Sequence, residues 1–389
     1  MEHIDYLIIG GGISGTTAAE VLREKEAHDR IAILDAEAHP LYSKVKIPSY
    51  LKGKSTRDTL FLRKLGDYEN KKINLYSNTK ISKIDPDKHE VYTHEGEIFS
   101  YKRLLISSGG YPKPWPAEGE SSYKLLRMHT VEDADYIKKS MVEAENKEAL
   151  VIGEGFIALE FAETFILNGF RAHLLERGEV WGGVDGRFGK SGGEIMEENF
   201  KRHGATIHKN VNPEAIGALG IKASLAGVGI GIKRNFDMLA GIKVGRGIIT
   251  NEFFATTDPD IYAAGDVAEF FDVIAGHRRV VGNWTNSFLQ GRTAALNMLA
   301  SVNGNALVPF RAVSAYNITN LGLGLAFVGC LEDTDDHLEY VSDTSLARLF
   351  FKENKLHGAV LINRFNDKIK LAQLIDAGAA KHELERTFS

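Results

Sequence analysis

Apolar residues in this chain come in short unbroken runs, and glycine closes most of them. Tyr6-Leu7-Ile8-Ile9 has the length and continuity of a strand covered on both faces. It runs into Gly10-Gly11-Gly12-Ile13-Ser14-Gly15, after which Ala18, Ala19 and Leu22 give Thr16 to Lys25 a helical spacing. Ile31-Ala32-Ile33-Leu34 reads as a second strand and ends on Asp35. The pattern returns downstream. Ala149-Leu150-Val151-Ile152 leads into Gly153-Glu154-Gly155, a helix through Asn168, and a strand Ala172-His173-Leu174-Leu175 that ends on Glu176. The chain therefore carries an internal repeat of a strand–turn–helix–strand unit.

Between the repeats, Leu104-Leu105-Ile106-Ser107-Ser108-Gly109-Gly110 predicts another buried strand meeting a glycine turn. Pro112, Pro114 and Pro116 predict a stiff crossover. Gly247-Ile248-Ile249-Thr250 and Ile261-Tyr262-Ala263-Ala264-Gly265-Asp266 read as strands, with a helix from about Ser287 to Leu299. From about Asn305 the texture changes to short alternating strands, Ala347 to Phe351 and Leu356 to Leu361, and a last helix near Lys368 to Asp376. Gly192-Gly193 reads as a turn opening a helix.

Both repeats carry chemistry. Gly10, Gly12 and Gly15 satisfy G-x-G-x-x-G between strand and helix. The first glycine makes the tight turn, the second lets backbone approach a pyrophosphate, and the third permits close helix packing. Asp35, at the end of the next strand, can accept both hydroxyls of an adenosine ribose. Gly153, Gly155 and Ala158 form the second fingerprint and Glu176 is its acid. A carboxylate there bonds the free 2′-hydroxyl of NADH and repels the 2′-phosphate of NADPH, although the adjoining Arg177 would favour NADPH. Phe156, Ile157 and Gly231 join this set. Glu160 lies within the second helix between Leu159 and Phe161, apolar flanks that argue against a merely solvated role.

These motifs predict an α/β protein with two Rossmann-like dinucleotide-binding domains and a small α+β C-terminal cap. The expected boundaries are 1–112 with 241–304, 113–240, and 305–389.

Composition narrows the field. The 389 residues are 43% hydrophobic and 25% charged, which suits a well-buried core. A net charge of −5 gives no reason to expect nucleic acid or an anionic membrane as partner. The start, Met1-Glu2-His3-Ile4-Asp5, lacks the basic region of a signal peptide, and no apolar run approaches the roughly 18 residues of a membrane helix. A cytoplasmic location is expected. Cys330 is the single cysteine, which leaves no intrachain disulfide and no Cys-rich metal site. The 13 histidines show no paired metal spacing, and Asp333, Asp335 and His337 read as a solvated turn, so no metal is expected.

The two fingerprints, followed by Thr257-Asp258-Pro259-Asp260-Ile261-Tyr262-Ala263-Ala264-Gly265-Asp266, resemble the pyridine nucleotide–disulfide oxidoreductase superfamily over most of the chain. Leu41-Tyr42-Ser43-Lys44-Val45-Lys46-Ile47-Pro48-Ser49-Tyr50-Leu51, Trp284 with Gln290-Gly291-Arg292, and the cap are similar to its branch of rubredoxin reductases and nitrite reductase flavin domains. The resemblance implies FAD in the discontinuous first domain and NADH in the second. It assigns Gly10, Gly12, Ser14, Gly15, Asp35, Ala36, Ser43, Lys44, Ser108, Gly109, Gly265, Asp266 and Trp284 to FAD, with Asp266 accepting from the ribityl chain. Glu160 would orient the nicotinamide.

The implied acceptor is a small iron protein, rubredoxin first and ferredoxin or a nitrite reductase partner next. An NADH-binding flavoprotein with a signalling role is the alternative from another class. Lys44, Lys46, Lys52 and Lys54, and His277, Arg278 and Arg279, are candidate docking charges. Three departures stand out. Ser43 occupies the position of a redox cysteine. Ser49 occupies the position where dioxygenase-type ferredoxin reductases have a lysine, so no Lys–Glu pair is expected from it. The stretch from His203 to Arg234 is short by about one hairpin.

Overall fold

The computed structural model describes residues 1–25, 28–115, 123–178, 187–212, 216–217 and 219–388. Pro116, the last of the three crossover prolines, lies outside them. The chain divides into two compact units, Met1–Ser43 with Asp58–Tyr111 and Lys233–Ala312, and Lys44–Arg57 with Pro112–Ile232 and Val313–Ser389.

The first unit is built on a seven-stranded sheet. Glu2–Ile9 lies at its centre, parallel to Ile31–Leu34 on one side and Ile98–Ile106 on the other, with Ile73–Tyr76 beyond Ile31–Leu34. On its edge away from Glu2–Ile9 the long strand Ile98–Ile106 serves two further partners. Its first half pairs antiparallel with Glu90–Thr93, and Leu104, Leu105 and Ile106 pair in parallel with Ile261–Ala263. Strands covered on both faces need continuous apolar runs, and Leu7, Ile8, Ile33, Leu104 and Leu105 are all fully buried. The helices Ile13–Lys25 and Trp284–Asn303 pack together on this sheet. The second helix is longer than the spacing predicted, because Asn283 caps its first turn by accepting from the Asn286 N–H (3.0 Å) and Gly304 ends it in the left-handed conformation.

The second unit contains a five-stranded sheet in the order Thr206–His208, Arg171–Leu175, Glu148–Ile152, Leu225–Val228, Lys124–Leu126, parallel throughout. Among the described residues between His208 and Leu225 there is no strand; these residues lie within the stretch His203 to Arg234. The C-terminal part is an antiparallel sheet of five strands, ordered Ala315–Asn320, Leu323–Gly329, Lys355–Ile362, Leu346–Lys352, Asp336–Val341, with the helix Asp367–Ala377 against it. This matches the α+β expectation.

One turn was misread. Gly192 and Gly193 sit inside the helix Gly189–Arg202, not before it. A Cβ at position 192 would stand 2.8 Å from Leu346 Cδ2 and 2.9 Å from Phe188 Cβ. The glycine is there to let the helix approach its neighbours, a requirement of packing that local turn chemistry does not reveal.

Candidate functional site

The first fingerprint sits at the carboxyl end of the central strand of its sheet. Gly10 has φ +100°, and a Cβ on it would stand 2.5 Å from the Ser107 carbonyl oxygen. At Gly15 a Cβ would lie 2.0 Å from the Gly10 oxygen, so the helix start needs glycine there too. Position 12 is different: a Cβ would meet nothing within 4 Å. Two of the three glycines are demanded by the fold, and the third leaves a space of the kind a pyrophosphate needs. The turn is tied from both sides. Thr16 Oγ1 donates to the Gly11 oxygen (2.9 Å) and Ser107 Oγ donates to the Ile9 oxygen (3.0 Å).

Most of the other residues expected at FAD belong to the same unit as this turn. A Cβ on Gly11 would be 2.3 Å from Asp35 Oδ2, which puts that carboxylate beside the turn. Ala36 and Ser108 are exposed next to it, and Gly109 has φ +64°. Gly265, at φ +82°, donates its N–H to Gln290 Oε1 (2.8 Å), and Asp266 Oδ1 accepts from Ser287 Oγ (2.9 Å). Ser14 is buried and its hydroxyl makes no hydrogen bond. Trp284, half-buried, opens the long helix, and Ser43 is buried with its N–H on the Leu60 oxygen (2.8 Å). Lys44 belongs to the second unit, where its Nζ lies 3.3 Å from His129 Nε2.

The second fingerprint repeats the geometry. Gly153 has φ +112°, and a Cβ there would stand 2.4 Å from the Gly229 oxygen. Gly229 must itself be glycine, because its Cβ would be 2.5 Å from the Ala158 nitrogen, and Gly227 would collide with the Phe161 ring at 2.4 Å. Sequence reasoning singled out only Gly231 from this stretch; the spacing Gly227-Val228-Gly229-Ile230-Gly231 after an apolar strand was the available signal. A cavity of about 670 Å³ opens over this turn, lined by Gly153, Glu154, Gly155, Phe156, Arg177 and Gly231, with Lys113, Trp115, Arg187 and Phe327 opposite. Phe156 stands edge-on to Phe327, ring centres 4.9 Å apart. Ile157 is partly exposed on the first turn of the helix Phe156–Leu167.

Glu176 and Arg177 divide at the strand end. Arg177 projects into the cavity, and its backbone N–H donates to Glu154 Oε1 (3.1 Å). Glu176 is fully buried and neither carboxylate oxygen has a hydrogen-bond partner. Burial first, then the carboxylates of Glu197 and Glu154, push its carboxyl up to about 8, with Lys209 opposing. Glu176 is not among the described residues that line the cavity; the open positions at Gly12 and Gly155 leave the space a pyrophosphate needs, so the two turns suit dinucleotides.

Glu160 is not alone. Lys52, just beyond the short helix Ile47–Leu51, places Nζ 3.0 Å from Glu160 Oε2 and 2.6 Å from Glu163 Oε2. The segment is held by Arg57 Nε and the Tyr50 hydroxyl on Asp135 (2.8 and 2.9 Å) and by Asn168 Nδ2 on the Leu51 oxygen (3.2 Å). A Lys–Glu pair is therefore built, from a lysine one helical turn beyond Ser49. Burial pushes the Glu160 carboxyl up, Lys52 pulling it down and Glu163 adding to the rise. Burial works against the Lys52 charge, but Glu163 and Glu160 hold its ammonium above the ordinary value. Lys52 is thus no docking charge, and neither is Arg279, which is buried against Asp272 (3.3 Å). Lys46, Lys54 and Arg278 are exposed.

Residues 4–291 match the family model described as pyridine nucleotide-disulphide oxidoreductase. An NADH-rubredoxin oxidoreductase of Clostridium acetobutylicum is 26% identical over 97% of this chain and 96% of its own length. The putidaredoxin reductase CamA of Pseudomonas putida is 29% identical over 85% of this chain and 81% of its own. Among solved structures, the Clostridium acetobutylicum NADH:rubredoxin oxidoreductase superposes with a TM-score of 0.83 at 24% identity, covering 99% of this chain and 100% of that one. The covalent putidaredoxin reductase–putidaredoxin complex gives 0.86 at 23%, covering 97% and 94%. At these identities the structures show a shared fold.

Proposed function

The chain belongs to the pyridine nucleotide-disulphide oxidoreductase family and is an NADH-dependent oxidoreductase that carries FAD, and we propose that it passes electrons from NADH to a small iron protein, rubredoxin before ferredoxin. The observation that carries the choice is the lack of a redox thiol. Ser43 is buried where thiol-dependent members have a cysteine, and the one cysteine, Cys330, is buried on the cap. Without a thiolate there is no disulfide or sulfenate to take up electrons, so they leave through a diffusible acceptor.

Bound FAD supplies the conversion of a two-electron donor into a one-electron donor. The chain's own groups bind and orient. In this reading residues 1–112 and 241–304 hold FAD, residues 113–240 hold NADH, and residues 305–389 form the cap. The helix starts at Gly12 and Gly155 face the two pyrophosphates. Asp35 and Glu176 accept from the two adenosine riboses, Asp266 accepts from the ribityl chain, and Glu160 orients the nicotinamide amide. Lys46, Lys54 and Arg278 remain as charges that would steer an acidic acceptor.

The test is NADH turnover by the purified holoenzyme with rubredoxin, ferredoxin and oxygen offered separately. The proposal requires kcat/KM with an iron protein to exceed that with oxygen by orders of magnitude. Turnover with oxygen alone, or NADH binding without turnover, would replace it with an oxidase or a signalling flavoprotein.

A further inference from the structure

Glu160 and Glu163 lie three positions apart on the helix Phe156–Leu167, so their carboxylates share one face. That face meets a single buried ammonium, Lys52, at 3.0 and 2.6 Å. The three side chains are 8%, 14% and 6% exposed for Lys52, Glu160 and Glu163. From the strand Ala315–Asn320, Asn320 Nδ2 donates to the Leu159 oxygen (2.7 Å) and reaches Glu163 Oε2 at 3.5 Å. Lys54 also acts on Glu160 but is exposed, so water screens it.

The charge count decides the state. One ammonium and two ionised carboxylates would leave a net negative charge out of water, which is costly. The favoured arrangement keeps a proton on one acid. Glu163 has the shorter contact to Lys52 and the additional Asn320 donor. Among the described residues Glu160 has only the longer contact, and it is the acid that retains the proton. We propose that Glu163 is a positioning residue that takes the Lys52 ammonium and leaves Glu160 neutral, so that the nicotinamide carboxamide meets a hydrogen-bond donor at Glu160. The last clause rests on the reading of Glu160 as the residue beside the nicotinamide. A protonated carboxyl has one O–H to donate to the carboxamide oxygen, whereas a carboxylate can only accept from its NH₂.

The experiment follows the carboxylic acid C=O stretch of oxidised holoenzyme by infrared difference spectroscopy across pH. It pairs this with the pH dependence of the Kd for a non-reducing tetrahydro analogue of NADH. Beside the acid band of Glu176, which Glu176→Gln identifies, the native protein should show a second acid band at pH 7 that Glu160→Gln abolishes. In Glu163→Gln, Lys52 turns wholly to Glu160, so the band should be lost at a pH at least about one unit lower; Lys52→Met should move it the other way. Relative to Glu160→Gln, in which the titration of Glu176 remains, analogue affinity of the native protein should fall by up to roughly tenfold per pH unit above the Glu160 ionisation. No acid band at pH 7 that Glu160→Gln removes, or the same titration of that band in Glu163→Gln as in the native protein, overturns the role of Glu163. Infrared behaviour as expected with the same pH dependence of analogue affinity in the native protein and Glu160→Gln places Glu160 away from the nicotinamide. That result removes the functional reading and leaves the proton assignment standing.

Discussion

Glu176→Gln keeps the shape of a fully buried side chain and removes its titration. In the folded protein the Glu176 carboxyl is pushed up from 4.5 to about 8, by burial first and then by Glu197 and Glu154. In the unfolded chain it ionises near its ordinary value. Between those limits the folded protein holds a proton that the unfolded chain has released. Stability is therefore fully present below about 4.5, falls as pH rises, and levels off above about 8. At about 1.4 kcal/mol per pH unit the loss is bounded at about 5 kcal/mol. Half of that is readable, because a kcal/mol shifts the melting of a domain of this size by about 2–4 °C. The assay is the melting temperature of FAD-loaded native protein and Glu176→Gln at matched ionic strength from pH 5 to 9. The variant's advantage should grow with pH and be roughly 5–10 °C larger at pH 9 than at pH 5. With Glu176 at the ribose as proposed, saturating NAD⁺ should narrow the gap at high pH. A gap that does not change with pH refutes the reasoning.

Gly12→Ala and Gly15→Ala should part company. The first has open space around it and should melt like the native apoprotein while losing FAD; the second drives a Cβ to 2.0 Å from the Gly10 oxygen and should misfold. Asp266→Ala removes an acceptor for a charge-assisted bond of about 1.5–3 kcal/mol, so flavin content after dialysis should be substoichiometric. Cys330→Ser should keep near-native acceptor reduction, because its thiol is buried and donates only weakly to the Glu332 oxygen at 3.8 Å.

Local signals carried much of this molecule. Continuous apolar runs located the central strands, Ile31–Leu34 to the residue, because strands buried on both faces leave no room for alternation. Both fingerprints were legible because a left-handed turn and a close approach each demand glycine. What depends on distant partners was not legible. Lys52 and Arg279 looked like surface charges, yet both are buried against carboxylates from other parts of the chain, 108 residues away for Lys52 and Glu160 and seven for Arg279 and Asp272. Gly192 looked like a turn because its reason lies on Leu346, in the cap. Ser49 gave the expectation of no Lys–Glu pair, yet Lys52, one turn beyond, reaches Glu160, a reach that only the folded helix Ile47–Leu51 reveals.

The central claim is that electrons enter as hydride from NADH and leave singly to an iron protein. Anaerobic stopped-flow mixing tests it most directly. NADH in slight excess should bleach the flavin absorbance of the holoenzyme within seconds. Oxidised rubredoxin added next should then be reduced at two equivalents per NADH consumed, with the flavin spectrum returning. Flavin that stays oxidised with NADH, or reduced flavin that oxygen reoxidises while rubredoxin and ferredoxin stay oxidised, would contradict the account.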